Sequence, residues 1–285
     1  MGIKIESIFY TYGKKASNST LALKDVSFNI ADNDFVAVVG ETGSGKSTLA
    51  QCLNALLIPD QGQVIVDDIV VSYKNRKSKK MRDLRKRVGL VFQFPEYQLF
   101  EETVEKDVAF GVKNFGVKGE EALQKAHEAL AQVGLDESYY SRPPFELSGG
   151  ERRKVAIAGI LAINPDIVIF DEPTVGFDPA SAKELMNLIV EMHKNGKTII
   201  VITHDMDLVN EYAQKVFMME NGQLVFEGTP SELFIHVQNY DRLDIPKTIK
   251  LALALKEKGM DIDINSIRSI DDLVAAIKGW RDKHE

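Results

Sequence analysis

The sequence holds a single cysteine, Cys52, in 285 residues. One thiol cannot close an internal disulfide, so a disulfide-stapled scaffold is excluded and a reducing cytoplasm is the natural compartment. Long apolar runs are missing too. The longest, roughly Val155 to Ile163, is about half a membrane span, and no bilayer-crossing helix is expected. No secretory leader is expected, because Met1 to Tyr12 alternates polar and apolar and reads as a strand. Positive charge is not in excess either. A net charge of −7 argues against bulk attraction to nucleic acid. What remains, 44% hydrophobic and 27% charged, is an ordinary globular composition, long enough for one large domain or two smaller ones.

One stretch runs against that charge balance. Lys74 to Arg87 carries nine Lys/Arg and one Asp. Nucleic-acid binding is the sharper reading, but no aromatic residues interleave the charges as base stacking requires. A solvated helix face, or one near anionic headgroups, is the preferred reading. Cys52 falls on the apolar face of an expected helix and reads as a small buried hydrophobe, not a nucleophile.

Hydrophobic patterning gives the rest of the outline. Strands are expected at Ile3 to Tyr12, Val26 to Ile30 and Val64 to Val71. Continuously apolar runs at Phe35 to Val39, Ile167 to Phe170 and Thr198 to Ile202 suit strands buried on both faces. A helix carrying Leu49, Cys52, Leu53, Leu56 and Leu57 is expected to run to Pro59. Residues from about 101 to 146 read as helical, with Gly134 as a stop. Strands alternating with helices indicate an α/β protein with a parallel sheet. Asn221-Gly222 suits a type I′ hairpin turn, Thr229-Pro230-Ser231-Glu232 a helix start, and two short helical patterns follow at Pro246 to Lys258 and Ser269 to Trp280. No internal repeat is evident.

Three motifs carry chemistry. Gly40-Glu41-Thr42-Gly43-Ser44-Gly45-Lys46-Ser47, followed by Thr48, leaves a buried strand and opens a helix. Its backbone N–H groups can curl around phosphate oxygens, and the helix N-terminus adds partial positive charge. Lys46 can reach β/γ-phosphates and the Ser47 hydroxyl can ligate Mg²⁺. The expected ligands are ATP and Mg²⁺. Asp171, at the end of the Ile167 strand, can hold Mg²⁺ through water, and Glu172 is placed to orient or deprotonate an attacking water. Leu147-Ser148-Gly149-Gly150-Glu151 opens a second helix with an anion-accepting N-terminus. One nucleotide rarely needs two such sites from one chain, so this helix is expected to face the γ-phosphate bound to another subunit.

These residues resemble the nucleotide-binding subunit of ATP-binding cassette (ABC) transporters over about residues 3 to 235. The resemblance implies a P-loop NTPase: a RecA-like parallel sheet core with an N-terminal antiparallel β-subdomain, a helical signature subdomain and a short helical C-terminal extension. It places the ATPase domain at 1–238, the helical subdomain at about 94–160 within it, and a dimerisation extension at 239–285. Tyr12 looks like the aromatic residue that stacks on adenine, although Tyr10 sits two residues away on the same strand face. Gln93 matches the glutamine loop that senses Mg²⁺ and the transport partner. Gly176-Phe177-Asp178 matches the loop linking the two ATP sites, and His204 the switch histidine. The other histidines (His127, His193, His236 and His284) read as structural. Two positions depart from the family pattern: Glu151 stands where many relatives have glutamine, and Phe177 where leucine is more usual. Neither removes a group with a direct chemical role.

The segment Val91-Phe92-Gln93-Phe94-Pro95-Glu96-Tyr97-Gln98-Leu99-Phe100-Glu101, continued by Thr103 to Gly111, narrows the resemblance to energy-coupling factor transporters, and to the second of their paired ATPases. That implies an ATP hydrolase powering uptake of vitamins or similar micronutrients. It also implies a second related ATPase as partner, in a heterodimer in preference to a homodimer. A membrane coupling protein and a substrate-binding membrane subunit complete the expected assembly, with the chain peripheral on the cytoplasmic face of the cell membrane. The aromatic segment Phe92 to Phe100 would line the groove that takes the partner's coupling helices; core packing within the helical subdomain is the preferred reading for Phe92, and both readings stay open for Tyr97 and Phe100. The alternatives are the ATPase of another importer, such as one for cobalt or nickel, and a DNA-repair ATPase. Repair and chromosome ATPases place a long coiled coil between the two glycine motifs; here only about a hundred residues separate Ser47 from Leu147, without sustained heptads. Translation factors usually carry two cassettes, and a non-hydrolysing switch would lack Glu172 or His204.

Overall fold

The computed structural model describes residues 2–14, 18–237 and 244–284. The chain opens with β1 (Ile3–Tyr12), β2 (Thr20–Ile30) and β3 (Phe35–Val39), then α1 (Lys46–Leu53), β4 (Gln61–Val66) and β5 (Ile69–Val71). The basic stretch forms α2 (Lys80–Arg87), which runs directly into β6 (Val88–Val91). Next come α3 (Val104–Asn114), α4 (Glu120–Gln132) and α5 (Gly149–Leu161). The remainder alternates: β7 (Ile167–Asp171), α6 (Pro179–Lys194), β8 (Thr198–Ile202), α7 (Met206–Tyr212), β9 (Lys215–Glu220), β10 (Gln223–Gly228), α8 (Pro230–Val237), α9 (Lys247–Glu257) and α10 (Ile270–His284).

Two sheets result. The smaller is antiparallel, in the order β2-β1-β4-β5, and the larger is β10-β9-β3-β8-β7-β6. Every pairing in the larger sheet is parallel except that of β10 with β9. β3, β7 and β8 are buried along their whole length, as continuously apolar strands between two layers must be. Alternate faces of these strands feed different cores. Val36, Val38 and Ile169 join α1 and the antiparallel sheet, where Phe28 and Phe217 lie 4.1 Å apart. Phe35, Val168 and Phe170 face α3 to α6. Ala37 and Val39 join a third cluster with α7 to α10, so the C-terminal helices pack back onto the sheet. There, the Asn210 side-chain amide donates to the carbonyls of Ile267 and Arg268. The expected boundary at residues 238 and 239 lies outside the described residues.

Two expected elements differ from the structure. α1 stops at Leu53 and does not run to Pro59, because Ala55 turns into the left-handed region (φ +56) and the N–H groups of Leu56 and Leu57 both fold back to the Gln51 carbonyl. Leu57 still packs on the core, but from a turn, and Leu56 is exposed. Val64 to Val71 is a hairpin, not one strand. Asp67 takes a positive φ of 52° and reverses the chain, and its carboxylate accepts from Arg87 at 2.7 Å.

Much of the charge in the basic stretch is engaged within the chain. Lys80 pairs with Asp68, Arg87 with Asp67, and Arg76, Arg82 and Arg85 donate to backbone carbonyls. Met81 and Leu84 turn inward from the same helix.

Cys52 is fully buried, and desolvation pushes its thiol up to about 12. A thiol-alkylating reagent at pH 8 is therefore expected to leave the native protein unlabelled and to add once in denaturant, read by intact mass. Native labelling at the denatured rate would refute this.

Candidate active site

Four loops leave the larger sheet at the C-terminal ends of its parallel strands, the edge where open α/β sheets bind ligands. They follow β3, β6, β7 and β8. The register aligns their starting points: Val38 lies opposite Ile202, Asp171 opposite Ile202, and Val91 opposite Phe170. Gly40, Gln93, Glu172 and His204 thus emerge side by side. Gln93, Glu172 and His204 line a cleft of about 590 Å³ together with Lys46, Ser47 and Asp171, while Gly40 lies outside its lining.

The phosphate-type loop is shaped by its glycines. Gly40 has φ +142, and a Cβ there would fall 2.1 Å from the Met219 carbonyl oxygen. Gly45 has φ +103, and its Cβ would fall 2.6 Å from the Ala22 carbonyl oxygen. Lys46 Nζ donates to the carbonyls of Gly40 at 2.8 Å and Glu41 at 2.9 Å. Burial pulls the Lys46 ammonium below its ordinary value, against the raising charges of Glu172 and Asp171. Ser44 Oγ is buried and, among the described residues, has no hydrogen-bond partner. Thr42, Gly43, Gly45, Ser47 and Thr48 line the cleft, while Glu41 is exposed at the loop's shoulder.

Asp171 is buried at the end of β7, and desolvation raises it above the usual carboxylate range. The Ser47 hydrogen bond and the Lys46 charge oppose that rise. Among the described residues no group of three or more His, Cys, Asp or Glu could hold a metal unaided. Mg²⁺ does not need one, since it takes one or two protein oxygens and fills its shell with phosphate and water. The adjoining Ser47 hydroxyl and Asp171 carboxylate, with Gln93 on the same cleft, fit that pattern.

Glu172 takes φ +51, an uncommon conformation for a residue with a Cβ. Its N–H donates to the Ile202 carbonyl at 2.8 Å, which fixes it to β8. Its Oε1 lies 2.8 Å from His204 Nδ1, and Thr203 Oγ1 donates to Oε2 at 3.4 Å. An ionised carboxylate only accepts, so this contact is a hydrogen bond with the proton on Nδ1, leaving Nε2 to the solvent-facing side. The His204 side chain is 70% exposed. Asp205 caps α7 by accepting from the N–H groups of Asp207 and Leu208, which sets the start of the helix just past His204.

The two tyrosines separate cleanly. Tyr12 reaches the cleft, with its hydroxyl 3.2 Å from Thr48 Oγ1. Tyr10 packs against the core and meets Tyr12 edge-on at 4.9 Å. Of the remaining histidines, His127 pairs with Glu105 at 2.8 Å and His193 meets Phe35 edge-on, both away from the cleft. His236 stacks on Phe226, and the His284 side chain lies outside the described residues.

Ser148, Gly149, Gly150, Glu151 and Asp178 do not line the cleft. Ser148 caps α5, accepting from the Glu151 N–H at 3.3 Å, while its own N–H donates to Glu151 Oε2 at 2.8 Å. Tyr139 donates its hydroxyl to Glu151 Oε1 at 2.9 Å. Those bonds hold Glu151 below its ordinary value and give a physical reason for a carboxylate here: both of its oxygens accept, one closing the capping box and the other meeting Tyr139, where glutamine has a single oxygen. Gly149 and Gly150 face open space. Asp178 caps α6, accepting from Ala180 N, Ser181 N and Ser181 Oγ.

One part of the site was not foreseen. The Asn221-Gly222 turn, with both φ values positive, sits against the phosphate-type loop. Gly222 N donates to the Ser44 carbonyl at 3.0 Å, and its own carbonyl accepts from Lys24 N at 2.8 Å. Leu21, Ala22 and Lys24 of β2 complete that wall of the cleft. The turn type was legible in Asn-Gly, but its seat depends on a pairing between distant strands.

A family model described as ABC transporter matches residues 23–175. The chain is 50% identical over 262 residues to the energy-coupling factor transporter ATP-binding protein EcfA2 of Streptococcus pneumoniae, covering 91% of this chain and 94% of the relative. It is 47% identical over 280 residues to EcfA2 of Streptococcus agalactiae, covering 98% and 99%. Among solved structures it is similar to cbiO1 of Clostridium perfringens, part of the ABC transporter complex cbiONQ, with a TM-score of 0.72 and 37% identity over 90% of this chain and 96% of that one. It is also similar to the ATP-binding cassette MJ0796 in a dimeric post-hydrolysis state bound to ADP and Pi, with a TM-score of 0.71 and 30% identity over 80% and 98%.

Proposed function

The chain belongs to the ABC transporter family, whose cassettes bind and hydrolyse nucleotide, and from that premise we propose that it is the second ATPase of an energy-coupling factor importer. The observation that carries the reading is a division of labour in space. Lys46, Ser47, Gln93, Asp171, Glu172 and His204 share one cleft, while the exposed Ser148 helix start and Asp178 lie outside it. Such a chain holds one ATP through residues 40–48 and offers Ser148 to Glu151 to an ATP held by another subunit.

In this reading Tyr12 stacks on adenine, and Lys46 turns from the Gly40 and Glu41 carbonyls to the β/γ-phosphates. Ser47, Asp171 and Gln93 would hold Mg²⁺, which supplies charge neutralisation on the phosphate oxygens when bound. Glu172 directs water at the γ-phosphorus, His204 contacts the γ-phosphate, and Asp178 links the paired sites. Closure of the pair moves the helical subdomain, at about 94–160, and so the membrane partner. The aromatic turn supports docking there: Tyr97 is 83% and Phe100 57% exposed, and Phe100 meets Phe110 edge-on. Phe92 instead packs on the core. Residues 1–238 are read as the ATPase domain and 239–285 as an extension that adds to the dimer contact. Among the described residues no helix is long and apolar enough to cross a membrane, in keeping with a peripheral subunit at the cytoplasmic face.

A second reading, the ATPase of a cbiONQ-type importer, draws on the 37% identity to cbiO1. The 50% identity to EcfA2 favours the first. A tagged copy purified from its native membrane is expected to bring down a second, related ATPase, a membrane coupling protein and a membrane substrate-binding protein, identified by mass spectrometry. Recovery of this chain as a homodimer with no membrane protein would overturn the assignment.

A further inference from the structure

Arg153 lies on α5, just past the Ser148 cap, and belongs to no motif named above. Its side chain is 6% exposed, and its partner Glu96 is 12% exposed. Nε donates to Glu96 Oε2 at 3.0 Å and Nη2 donates to Oε1 at 3.1 Å, the two-pronged geometry that fixes direction as well as distance. Nη1 donates to the Val175 carbonyl. The guanidinium carbon lies 5.3 Å from the Phe94 ring centre and 4.7 Å from the Phe177 ring centre, within cation–π range of both. Gly176 sits against the same group, with φ +81; a Cβ there would lie 3.6 Å from both Nη2 and the Phe94 ring. This gives a physical reason for Phe177 in place of leucine, since an aliphatic side chain offers the guanidinium no ring face.

One side chain therefore joins three segments. The first is the 94–98 turn, which follows Gln93 and presents Tyr97. The second is the 175–177 segment, which precedes Asp178. The third is the first turns of α5, which present Ser148. Packing alone does not call for a buried ion pair, because well-packed apolar residues of similar volume are often as stable or more so. A directional fork is suited to holding three segments at fixed angles.

We infer that Arg153 is a positioning residue that carries motion of the partner-facing 94–98 turn to both the Ser148 helix and the Asp178 loop. The inference rests on the functional reading above. It makes the Glu96–Arg153 pair the link through which membrane docking and the two composite ATP sites sense each other.

The test uses the complete transporter in lipid vesicles, measuring ATP hydrolysis and substrate uptake together. The variants are Glu96→Gln, Arg153→Lys and the double Glu96→Gln/Arg153→Gln. Each is expected to lower uptake per ATP hydrolysed by about tenfold, with KM for ATP within about twofold of wild type. The single variant Glu96→Gln should also lower the melting temperature, because it leaves a buried cation unpaired, and the neutral double should recover much of that loss. Coupling should not recover with it. A double variant that regains stability and coupling together would reduce the pair to packing and overturn the inference, as would single variants that transport like wild type. A wild-type complex that hydrolyses no ATP would overturn the functional reading itself, and this inference with it.

Discussion

Glu172→Gln is expected to leave ATP binding intact and to lower hydrolysis by about 10²-fold or more. The substitution keeps the side chain's size and one oxygen, so the cleft keeps its shape. It removes the carboxylate that could take a proton from water at this position. Asp171 cannot substitute, since it is buried against Ser47 and Lys46. The backbone supports a chemical role: a non-glycine residue at φ +51 is uncommon, the bond from its N–H to the Ile202 carbonyl holds it there, and its side chain lines the cleft. Steady-state phosphate release and nucleotide affinity are the measurements. With hydrolysis blocked, ATP should also hold the paired ATPases closed, visible as an ATP-dependent complex in light scattering. Undiminished turnover would remove Glu172 from the role of base.

The strands that position this carboxylate were legible because they are buried on both faces. Phe35 to Val39, Ile167 to Phe170 and Thr198 to Ile202 are apolar without interruption, and each is followed at once by polar residues that have no place in a core. That abrupt change marks both the strand end and the site. Gly40 to Ser47 was legible for a second reason: positive φ at Gly40 and Gly45, with backbone oxygens within 2.6 Å of any added Cβ, leaves no other residue type. Misreadings occurred where two outcomes share one pattern. Leu56 and Leu57 continue the helical spacing of α1, and only the left-handed turn at Ala55 ends it. Val64 to Val71 reads as one strand until Asp67, where a positive φ reverses the chain and Arg87 from α2 bonds the carboxylate.

Long-range contacts were the least legible. Nothing local says that Asn221-Gly222 will brace Ser44, or that Lys24 will bond to Gly222. The same is true of Arg153, which looks like one more cation in an exposed helix start. Its partners, Glu96 and the Val175 carbonyl, are far off in sequence and on different elements. Glu151 and Phe177, by contrast, stood out as departures from the family pattern without a cause. The structure supplies causes in contacts that no spacing rule encodes, Tyr139 for the first and Arg153 for the second.

Lys46→Ala is expected to weaken ATP binding by about 10- to 100-fold, the equivalent of one charge-assisted hydrogen bond at about 1.5–3 kcal/mol. The gain on binding is a difference, because Lys46 already donates to the Gly40 and Glu41 carbonyls. Moving to phosphate replaces two neutral acceptors with charged ones. Burial now depresses its pKa, and a bound triphosphate would push it back up. The variant also removes a cation that opposes the rise of Asp171, so that carboxyl should shift further upward. Stability without nucleotide should change little, since a desolvated charge is lost along with its two bonds. Calorimetric titration with ATP, beside melting curves with and without nucleotide, separates the two effects. A large fall in melting temperature without ATP would mean that Lys46 mainly braces the loop, and unchanged ATP affinity would show that the phosphates are held without it.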